Sequence, residues 1–217
     1  MESAPVRLVM LGPPGAGKGT QGARFARQRG VPWISTGEIL RQEVQAGTPI
    51  GRAAKVIMDA GRLIGDDIMI GIARDRLERQ DAAQGFVLDG FPRSLPQAEA
   101  LDTLVDDRSP LVVVDIEVPV ETLITRLRAR KICRNCGWNA APGVEACAKC
   151  GGPLVQRSDD NIDVVRERLR IYERSTAPIV EYYRDRPTYR SVDGDQTLDA
   201  VAADIAAAVA SVVGSRR

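Results

Sequence analysis

The sequence predicts a three-layer α/β fold, with helices on both faces of a parallel sheet. Short apolar runs rich in β-branched residues alternate with helical stretches, and this alternation is typical of consecutive βαβ units. The apolar runs are continuous along the chain, as expected for strands that are covered on both faces. We predict strands at residues 6–11, 86–88 and 111–116, with weaker candidates at 31–34 and 189–192.

The last helical stretch has the pattern of a helix that packs on such a sheet. Apolar residues recur there at steps of three and four, which produces one apolar stripe along a helix. The stripe consists of Leu198, Val201, Ile205, Val209 and Val212.

Two stretches interrupt the alternation, and we predict that they are insertions into one core. Residues 36–64 are expected to form short helices without a strong strand. The expected breaks between these helices are Gly47, Pro49, Gly51 and Gly61. Residues 129–160 contain four cysteines, four glycines and two prolines, and are expected to be rich in loops. The predicted core comprises residues 1–35, 65–128 and 161–217.

The composition argues against several classes of function. A formal net charge of +1 and an aromatic content of 4% give neither a basic field nor a stacking platform for nucleic acid. No apolar run is long enough to span a bilayer, and a first strand near Val6 leaves no room for a leader, so we expect a cytoplasmic protein. Because the chain has no histidine, a metal site would use thiolates or carboxylates.

A glycine-rich segment directly after the first predicted strand indicates a phosphate-binding loop. Residues 12–20 read Gly-Pro-Pro-Gly-Ala-Gly-Lys-Gly-Thr, which follows the pattern G-x-x-x-x-G-K with a hydroxyl residue close behind. Backbone N–H groups of such a loop and the positive end of the next helix bind phosphate oxygens. We expect Lys18 to bind the β- and γ-phosphates of a nucleoside triphosphate and Thr20 to ligate Mg²⁺. The other predicted contacts of the loop are Gly15, Ala16, Gly17 and Gly19.

Further blocks of residues follow the loop in a characteristic order. They are Gln21 after the loop, residues 34–37 with Arg41, residues 59–64, residues 88–93 with Gln97, Arg126 with Arg130, residues 157–160, Arg168 and residues 192–194. Together these blocks resemble the adenylate kinase family over essentially the whole chain. The resemblance implies a P-loop NTPase fold with five parallel strands, a helical AMP-binding insert at 36–64 and a lid at 129–160. It also implies a monomeric enzyme that binds ATP, AMP and ADP and catalyses the Mg²⁺-dependent reaction ATP + AMP = 2 ADP.

The resemblance implies an AMP site that reads both phosphate and base. Arg41 and Arg93 resemble the arginines that bind the AMP phosphate, and Thr36 and Gln97 resemble residues that select adenine. A side-chain amide offers both a donor and an acceptor, so it can read one edge of a purine. The other AMP contacts implied are Arg62, Leu63, Ile64, Gly90, Phe91, Pro92, Arg157 and Arg168. An additional role open to Thr36 is to cap a helix that begins near Glu38.

The resemblance also implies an arginine cluster on the transferred phosphoryl group, formed by Arg130, Arg157 and Arg168. Guanidinium groups and one Mg²⁺ can supply the positioning and charge that phosphoryl transfer needs, so a chain without histidine can perform it. Asp89 ends a predicted strand where it could hold Mg²⁺ through water, and Asp159 is expected to orient the arginines. Arg126 and Gln196 resemble contacts to the ATP adenine. The predicted catalytic residues are Lys18, Asp89, Arg93, Arg130, Arg157, Asp159 and Arg168.

The four cysteines follow the spacing C-x₂-C-x₁₀-C-x₂-C and are Cys133, Cys136, Cys147 and Cys150. This spacing favours a closed Cys₄ site that holds one structural zinc ion, each pair on a tight turn that ends in a glycine. Two disulfides, an iron–sulfur cluster and four free thiols are the alternatives. The resemblance supports zinc, since many bacterial adenylate kinases carry such a site in the lid. The stretch between the pairs is short and lacks the Tyr-His pair usual in the family, which leaves the lid's contacts with ATP open.

Other functions are compatible with parts of the pattern. A kinase for UMP or CMP on the same scaffold is the nearest alternative to an AMP kinase. A zinc-knuckle nucleic-acid module driven by a P-loop ATPase is disfavoured by the near-neutral charge and few aromatics. A catalytically silent nucleotide sensor would be expected to lack the phosphate-binding arginines, which this chain has.

Overall fold

The predicted strands pair in one parallel sheet in the computed structural model, which describes residues 5–105, 109–140 and 143–214. The strands within these described ranges are β1 (Val6–Leu11), β2 (Trp33–Ser35), β3 (Gly85–Asp89), β4 (Leu111–Glu117), β5 (Ile132–Cys133), β6 (Leu154–Val155) and β7 (Tyr189–Asp193). Five of them form the sheet in the order β2-β3-β1-β4-β7, with every pair parallel. This confirms the five parallel strands that the family resemblance implies. Since β3 and β4 flank β1 on opposite sides, a crevice forms beyond the carboxyl end of β1.

Helices cover both faces of the sheet. The α-helices of the described residues are α1 (Lys18–Arg29), α2 (Thr36–Ala46), α3 (Pro49–Asp59), α4 (Asp66–Leu77), α5 (Leu95–Leu104), α6 (Val120–Ala129), α7 (Ile162–Ile171), α8 (Ala177–Arg184) and α9 (Leu198–Val213). Successive side chains of β1 point to opposite faces, so Leu8 and Met10 pack with α1 and α9 while Val9 and Leu11 pack with the helices of the other face. The strand is therefore buried on both sides, which explains its continuous apolarity.

The insert at 36–64 is helical, but one of its predicted breaks is wrong. α2 ends before Gly47, whose backbone is left-handed, and α3 begins at Pro49. Gly51, in contrast, lies within α3. A Cβ atom on Gly51 would stand 2.0 Å from the Glu43 carbonyl oxygen, so this glycine permits the close packing of α3 against α2.

The C-terminal helix packs on the sheet through most of its predicted stripe. Val201, Ile205, Val209 and Val212 are buried. Leu198, the first residue of α9, is the exception and is 55% exposed. In the three described ranges, no helix combines the length and apolar character that crossing a bilayer would require.

Candidate active site

The glycine-rich loop joins β1 to α1. α1 begins at Lys18, and the residue before it, Gly17, has a φ of 97°. The Lys18 Nζ donates to the carbonyl oxygens of Gly12 at 2.6 Å and Pro13 at 2.9 Å, so the ammonium group is held by the loop itself. Burial lowers the pKa of Lys18 to about 8, although Asp89 opposes this shift. A phosphate bound beside it would raise the pKa again, because it favours the charged form.

Oxygen donors for a divalent cation lie beside this loop. Asp89 ends β3, and its Oδ2 is 3.3 Å from the point that a Cβ on Gly19 would occupy. Gly19 stands where the general pattern has Ser or Thr, and the hydroxyl comes one residue later at Thr20, exposed on the first turn of α1. A carboxylate and a hydroxyl are the hard oxygen ligands that Mg²⁺ prefers. The donors therefore fit the ion that accompanies a nucleoside triphosphate.

A cleft with about 1010 Å³ of free space, open to solvent, extends from the loop toward α3. Its basic lining residues are Lys18, Arg41, Arg62, Arg93, Arg157 and Arg168. Asp159 is the acidic residue among its described lining residues. Such an excess of cations in one cleft suits a ligand that carries several negative charges.

Two consecutive carboxylates hold three arginines at the base of the predicted lid. Asp159 accepts from Nε and Nη2 of Arg157, at 2.8 Å each. Asp160 accepts two hydrogen bonds from the Arg130 guanidinium, from Nε and Nη2. It also accepts one of 3.1 Å from Arg168 Nη1, which lies equally close to the Asp159 carboxylate. The Asp160 side chain is fully buried. Sequence reasoning selected Asp159 alone, yet Asp160 contacts two of the three arginines.

Burial and neighbouring charges shift the pKa values of the ionisable side chains that line the cleft. Burial lowers the pKa of Arg168 to about 10, although Asp159 opposes it. Burial also lowers the pKa of Arg93 and of Arg41, and neighbouring arginines add to both shifts. Burial acts to raise the pKa of Asp159, but Arg168 and Arg157 outweigh it and hold the pKa at about 2. Clustered, desolvated cations are typical of a site that binds an anion.

The far end of the cleft combines an apolar floor with a few polar groups. Met58, Leu63, Ile64 and Met69 line it. The buried Thr36 hydroxyl donates to the Gly90 carbonyl oxygen at 2.9 Å. An apolar slot with fixed polar groups is a common form of pocket for a planar base.

The capping role considered for Thr36 is wrong. α2 begins at Thr36 itself, and the residue that caps it is Ser35, whose Oγ accepts from the Glu38 N–H at 3.4 Å. The Thr36 side chain is therefore available to hold the loop after β3, through its bond to Gly90.

Gln97 lies on the first turn of α5 and is 1% exposed. Its Nε2 donates to Asp66 Oδ1 at 2.7 Å, and its Oε1 accepts from the Arg93 N–H at 2.8 Å. The Arg93 guanidinium donates through Nε to the Gly90 carbonyl oxygen at 2.9 Å. These bonds tie the predicted base-reading residue to the predicted phosphate-binding arginine.

Residues 90–92 contribute unequally to the cleft. Gly90 and Pro92 line it, whereas the Phe91 side chain is fully buried in the core, and the Phe91–Pro92 peptide bond is cis. Only the backbone of Phe91 could therefore face a ligand.

Arg126 and Gln196 lie in a separate group, outside the described lining of the cleft. The Arg126 Nη2 donates to the Gly194 carbonyl oxygen at 2.9 Å, which joins α6 to the loop after β7. Gln196 is exposed, and its Nε2 donates to the Asp193 carbonyl oxygen and to Asp204. Arg126 thus contacts the loop that carries Gln196.

The four cysteines converge on one point, with their sulfur atoms all within 4.8 Å of one another. The shortest separations are 3.4 Å and 3.5 Å, much longer than the roughly 2.05 Å of a disulfide bond, so the disulfide alternative is not formed. Four thiolates around one tetrahedral ion with bonds of about 2.3 Å would be roughly 3.8 Å apart. As predicted, a glycine ends each turn: Gly137 has a φ of 71° and Gly151 a φ of 70°. The cluster therefore fits one tetrahedral metal ion.

Two cleft residues that sequence reasoning missed come from a π-helical turn between α7 and α8. This turn, Tyr172–Thr176, places both Tyr172 and Thr176 in the lining of the cleft. The Thr176 hydroxyl donates to the Arg93 carbonyl oxygen at 3.0 Å. No motif marks these residues, whereas Asp160 could have been found from its position beside Asp159.

The glycine-rich loop, with oxygen donors suited to Mg²⁺ beside it, opens into a cleft lined by Arg41, Arg93, Arg157 and Arg168. This arrangement defines a P-loop phosphotransferase of the nucleoside monophosphate kinase class. A family model described as adenylate kinase matches residues 10–188. The chain therefore belongs to the adenylate kinase family, and its enzymatic activity is that of a nucleoside monophosphate kinase.

Similarity to individual relatives extends over nearly the full length. The chain is 45% identical over 210 residues to the adenylate kinase of Archaeoglobus fulgidus, covering 93% of this chain and 97% of the relative. It is 46% identical over 206 residues to that of Moorella thermoacetica, covering 90% and 94%. It is 43% identical over 220 residues to that of Caldanaerobacter subterraneus subsp. tengcongensis, covering 98% of each.

Proposed function

We propose that this chain transfers the γ-phosphoryl group of MgATP to AMP, in the reversible reaction ATP + AMP = 2 ADP. The observation that carries the proposal is the gathering of Arg41, Arg93, Arg157 and Arg168 around one cleft that begins at Lys18. Phosphoryl transfer between two bound nucleotides depends on alignment and charge stabilisation and needs no strong base.

Each group of basic residues has a distinct role in this proposal. Residues 15–20 bind the ATP phosphates, with Lys18 on the β- and γ-phosphates, while Arg41 and Arg93 bind the AMP phosphate. Arg130, Arg157 and Arg168 bind the phosphoryl group in transfer. Asp159 and Asp160 support this role, because they hold the three guanidinium groups in fixed positions through charge-assisted bonds.

The bases bind at opposite ends of the site. The adenine of AMP contacts Thr36, Gln97 and the segment Arg62, Leu63, Ile64, with Gly90, Phe91 and Pro92 beside its phosphate. The ATP adenine lies against Arg126 and near Gln196. The bond from Arg126 to Gly194 supports this second assignment, because it holds Arg126 against the loop that carries Gln196.

Two metal ions complete the proposal. Thr20, with Asp89 acting through water, would hold Mg²⁺, and the bound ion would neutralise developing charge on the phosphates. Cys133, Cys136, Cys147 and Cys150 hold one Zn²⁺. With four protein ligands this zinc site has no open coordination position, so its role is structural.

The insert at 36–64 and the lid at 129–160 close over the nucleotides and exclude water, which would otherwise hydrolyse ATP. Contacts between the two segments support closure. Ser158 Oγ donates to Asp59 Oδ1 at 2.8 Å, and a Cβ on Gly137 would stand 3.5 Å from Glu38 Oε2. Core boundaries at 1–35, 65–128 and 161–217, a monomeric state and a cytoplasmic location are further predictions.

The test is ADP formation from MgATP with AMP, UMP, CMP, GMP or no acceptor, on protein whose bound zinc has been quantified. We expect turnover with AMP and about one zinc ion per chain. Faster turnover with UMP or CMP would show that a pyrimidine nucleotide, not AMP, is the acceptor. It would leave the conclusions on the fold and the metal site unchanged. Absence of acceptor-dependent turnover in folded, zinc-loaded protein would contradict the proposal.

A further inference from the structure

The amide of Gln97 is held at both ends by partners that each accept one orientation. Its Nε2 donates to Asp66 Oδ1 at 2.7 Å, and its Oε1 accepts from the backbone N–H of Arg93 at 2.8 Å. An ionised carboxylate can only accept and a backbone N–H can only donate, so both partners select the same orientation. Because Gln97 is 1% exposed, its amide has little contact with solvent and depends on these two partners.

Two hydrogen-bonding positions remain on this amide. They are the second hydrogen of Nε2 and the second lone pair of Oε1. Gln97 lines the cleft together with Thr36 and Ile64, so a base bound there would meet a donor and an acceptor in a fixed spatial order.

The order of donor and acceptor distinguishes two classes of purine. Adenine carries an amino donor at C6 beside N1, which accepts, whereas hypoxanthine and guanine carry a carbonyl acceptor beside a donating N1–H. In the same pose, a 6-keto purine pairs only with an amide rotated by half a turn. That rotation would turn Oε1 toward the Asp66 carboxylate and the NH₂ group toward the Arg93 N–H, which leaves both buried pairs mismatched.

We infer that Asp66 is a specificity-determining residue, which locks the Gln97 amide so that the acceptor site takes 6-amino purines and rejects 6-keto purines. Asp66 acts through Gln97, so it is a positioning residue. The inference rests on the proposed function, in which Gln97 recognises the base of the phosphoryl acceptor. It deepens that proposal by naming the residue that orients the Gln97 amide.

The competing explanation is that Asp66 has only a structural role. Substitution of Ser94 distinguishes the two explanations. Asp66 is the first residue of α4, and Ser94 lies just before α5. The Ser94 Oγ also donates to Asp66 Oδ1, at 2.7 Å, so the carboxylate joins the two helices as well as holding the amide. Removing the Ser94 hydroxyl loosens the joint and leaves the bond from Gln97 in place.

The experiment compares kcat/KM for AMP and for IMP, which differ only in the 6-amino against the 6-keto group and the proton on N1. In Asp66→Asn the new side chain can donate to a rotated Gln97 amide. We expect the ratio of AMP to IMP kcat/KM to fall about tenfold in this variant, in line with the cost of one mismatched buried group. Ser94→Ala is expected to keep the wild-type ratio. Asp67→Asn, which removes the adjacent exposed carboxylate, is the matched control and is also expected to keep it.

Each outcome decides a separate point. If Gln97→Ala removes the discrimination and Asp66→Asn keeps it, the lock is wrong and base reading by Gln97 stands. If Gln97→Ala also keeps it, base reading and the lock are both wrong. Equal losses in Asp66→Asn and Ser94→Ala would assign the effect to the joint between α4 and α5 and overturn the inference. Asp66→Ser, whose hydroxyl can also donate, is measured with the same expectation if Asp66→Asn does not reach the wild-type thermal midpoint.

Discussion

The sheet core and the cysteine lid of this protein are stabilised by different interactions. In the core, strand residues such as Leu8, Leu88 and Val112 are fully buried between helices, so apolar burial stabilises the layers. In the lid, among described residues of 129–160, the buried ones are Cys133, Gly152, Asp160 and Cys147. Two of these are predicted metal ligands and one is a carboxylate paired with arginines.

This difference is compatible with the proposed closure, in which the lid moves and the core does not. A segment this small cannot bury enough apolar surface to fold by itself, so in the proposed function a metal ion would take the place of a core. An ion pair between Arg168 of α7 and Asp160 joins the lid to the rest of the chain, and Asp160 also pairs with Arg130 at the start of the lid. These ion pairs fix the orientation of the lid without a large apolar contact. In the proposed closure, the lid would then open while the core stays folded.

Metal removal should have the largest effect, and it should destabilise the lid while leaving the core folded. In chelator-treated protein, we expect the Gly137 and Gly151 amides, which donate to Cys133 and Cys147 carbonyls, to lose protection from hydrogen exchange. Amides of β1 and β3 should keep theirs. The measurement is hydrogen exchange with and without chelator. Cys147→Ser should reproduce the loss, and a simultaneous loss in the strands would show that the two regions do not fold separately.

Lys18→Met should remove activity and leave both regions folded. We expect kcat to fall by about 10³-fold, because a charge directed at the transferred phosphate is lost. The matched control is Lys149→Met, an exposed lysine of the lid, which should retain activity. Thermal unfolding and bound zinc are measured alongside. A drop in zinc content in Lys18→Met would contradict the independence of the two regions.

Truncation of an apolar side chain should affect the core far more than the lid. Leu88→Ala removes a fully buried side chain from β3 and should lower the free energy of unfolding by about 3 kcal/mol. Val155→Ala in β6, where the valine is half-buried, should cost less than about 1 kcal/mol. Urea denaturation of both variants is the measurement. Equal costs would mean that apolar burial stabilises the lid as well.

Acid should weaken the ion pairs at the base of the lid. The pKa of Asp159, about 2, lies below its ordinary value near 3.9, so its stabilising contribution is complete above about pH 4 and is lost as pH falls toward 2. The contribution is of the order of 2 kcal/mol for this largely buried group. Asp159→Asn should lack this part of the decline when unfolding is followed from pH 6 to 2. Asp163→Asn, which alters an 89% exposed carboxylate, should retain it.

Much of the fold and of the site follows from local pattern. The strand runs, the phosphate loop before α1 and the paired cysteines all depend on residues that are close in sequence. The break predicted at Gly51 was wrong, because this glycine lies within α3 and allows α3 to pack closely against α2. Asp160, Tyr172 and Thr176 were missed, because their contacts with the cleft depend on where α7 and the π-helical turn pack.

The sequence by itself therefore determined the strands, the phosphate loop and the cysteine cluster, since periodicity, backbone freedom and ligand spacing act over a few residues. The tertiary structure decided which carboxylate holds which arginine and which way the Gln97 amide faces. Arg130 and Asp160 are 30 residues apart, and Asp66 and Gln97 are 31 apart. No short-range pattern specifies a hydrogen bond between such residues, because it exists only where packed helices bring them together.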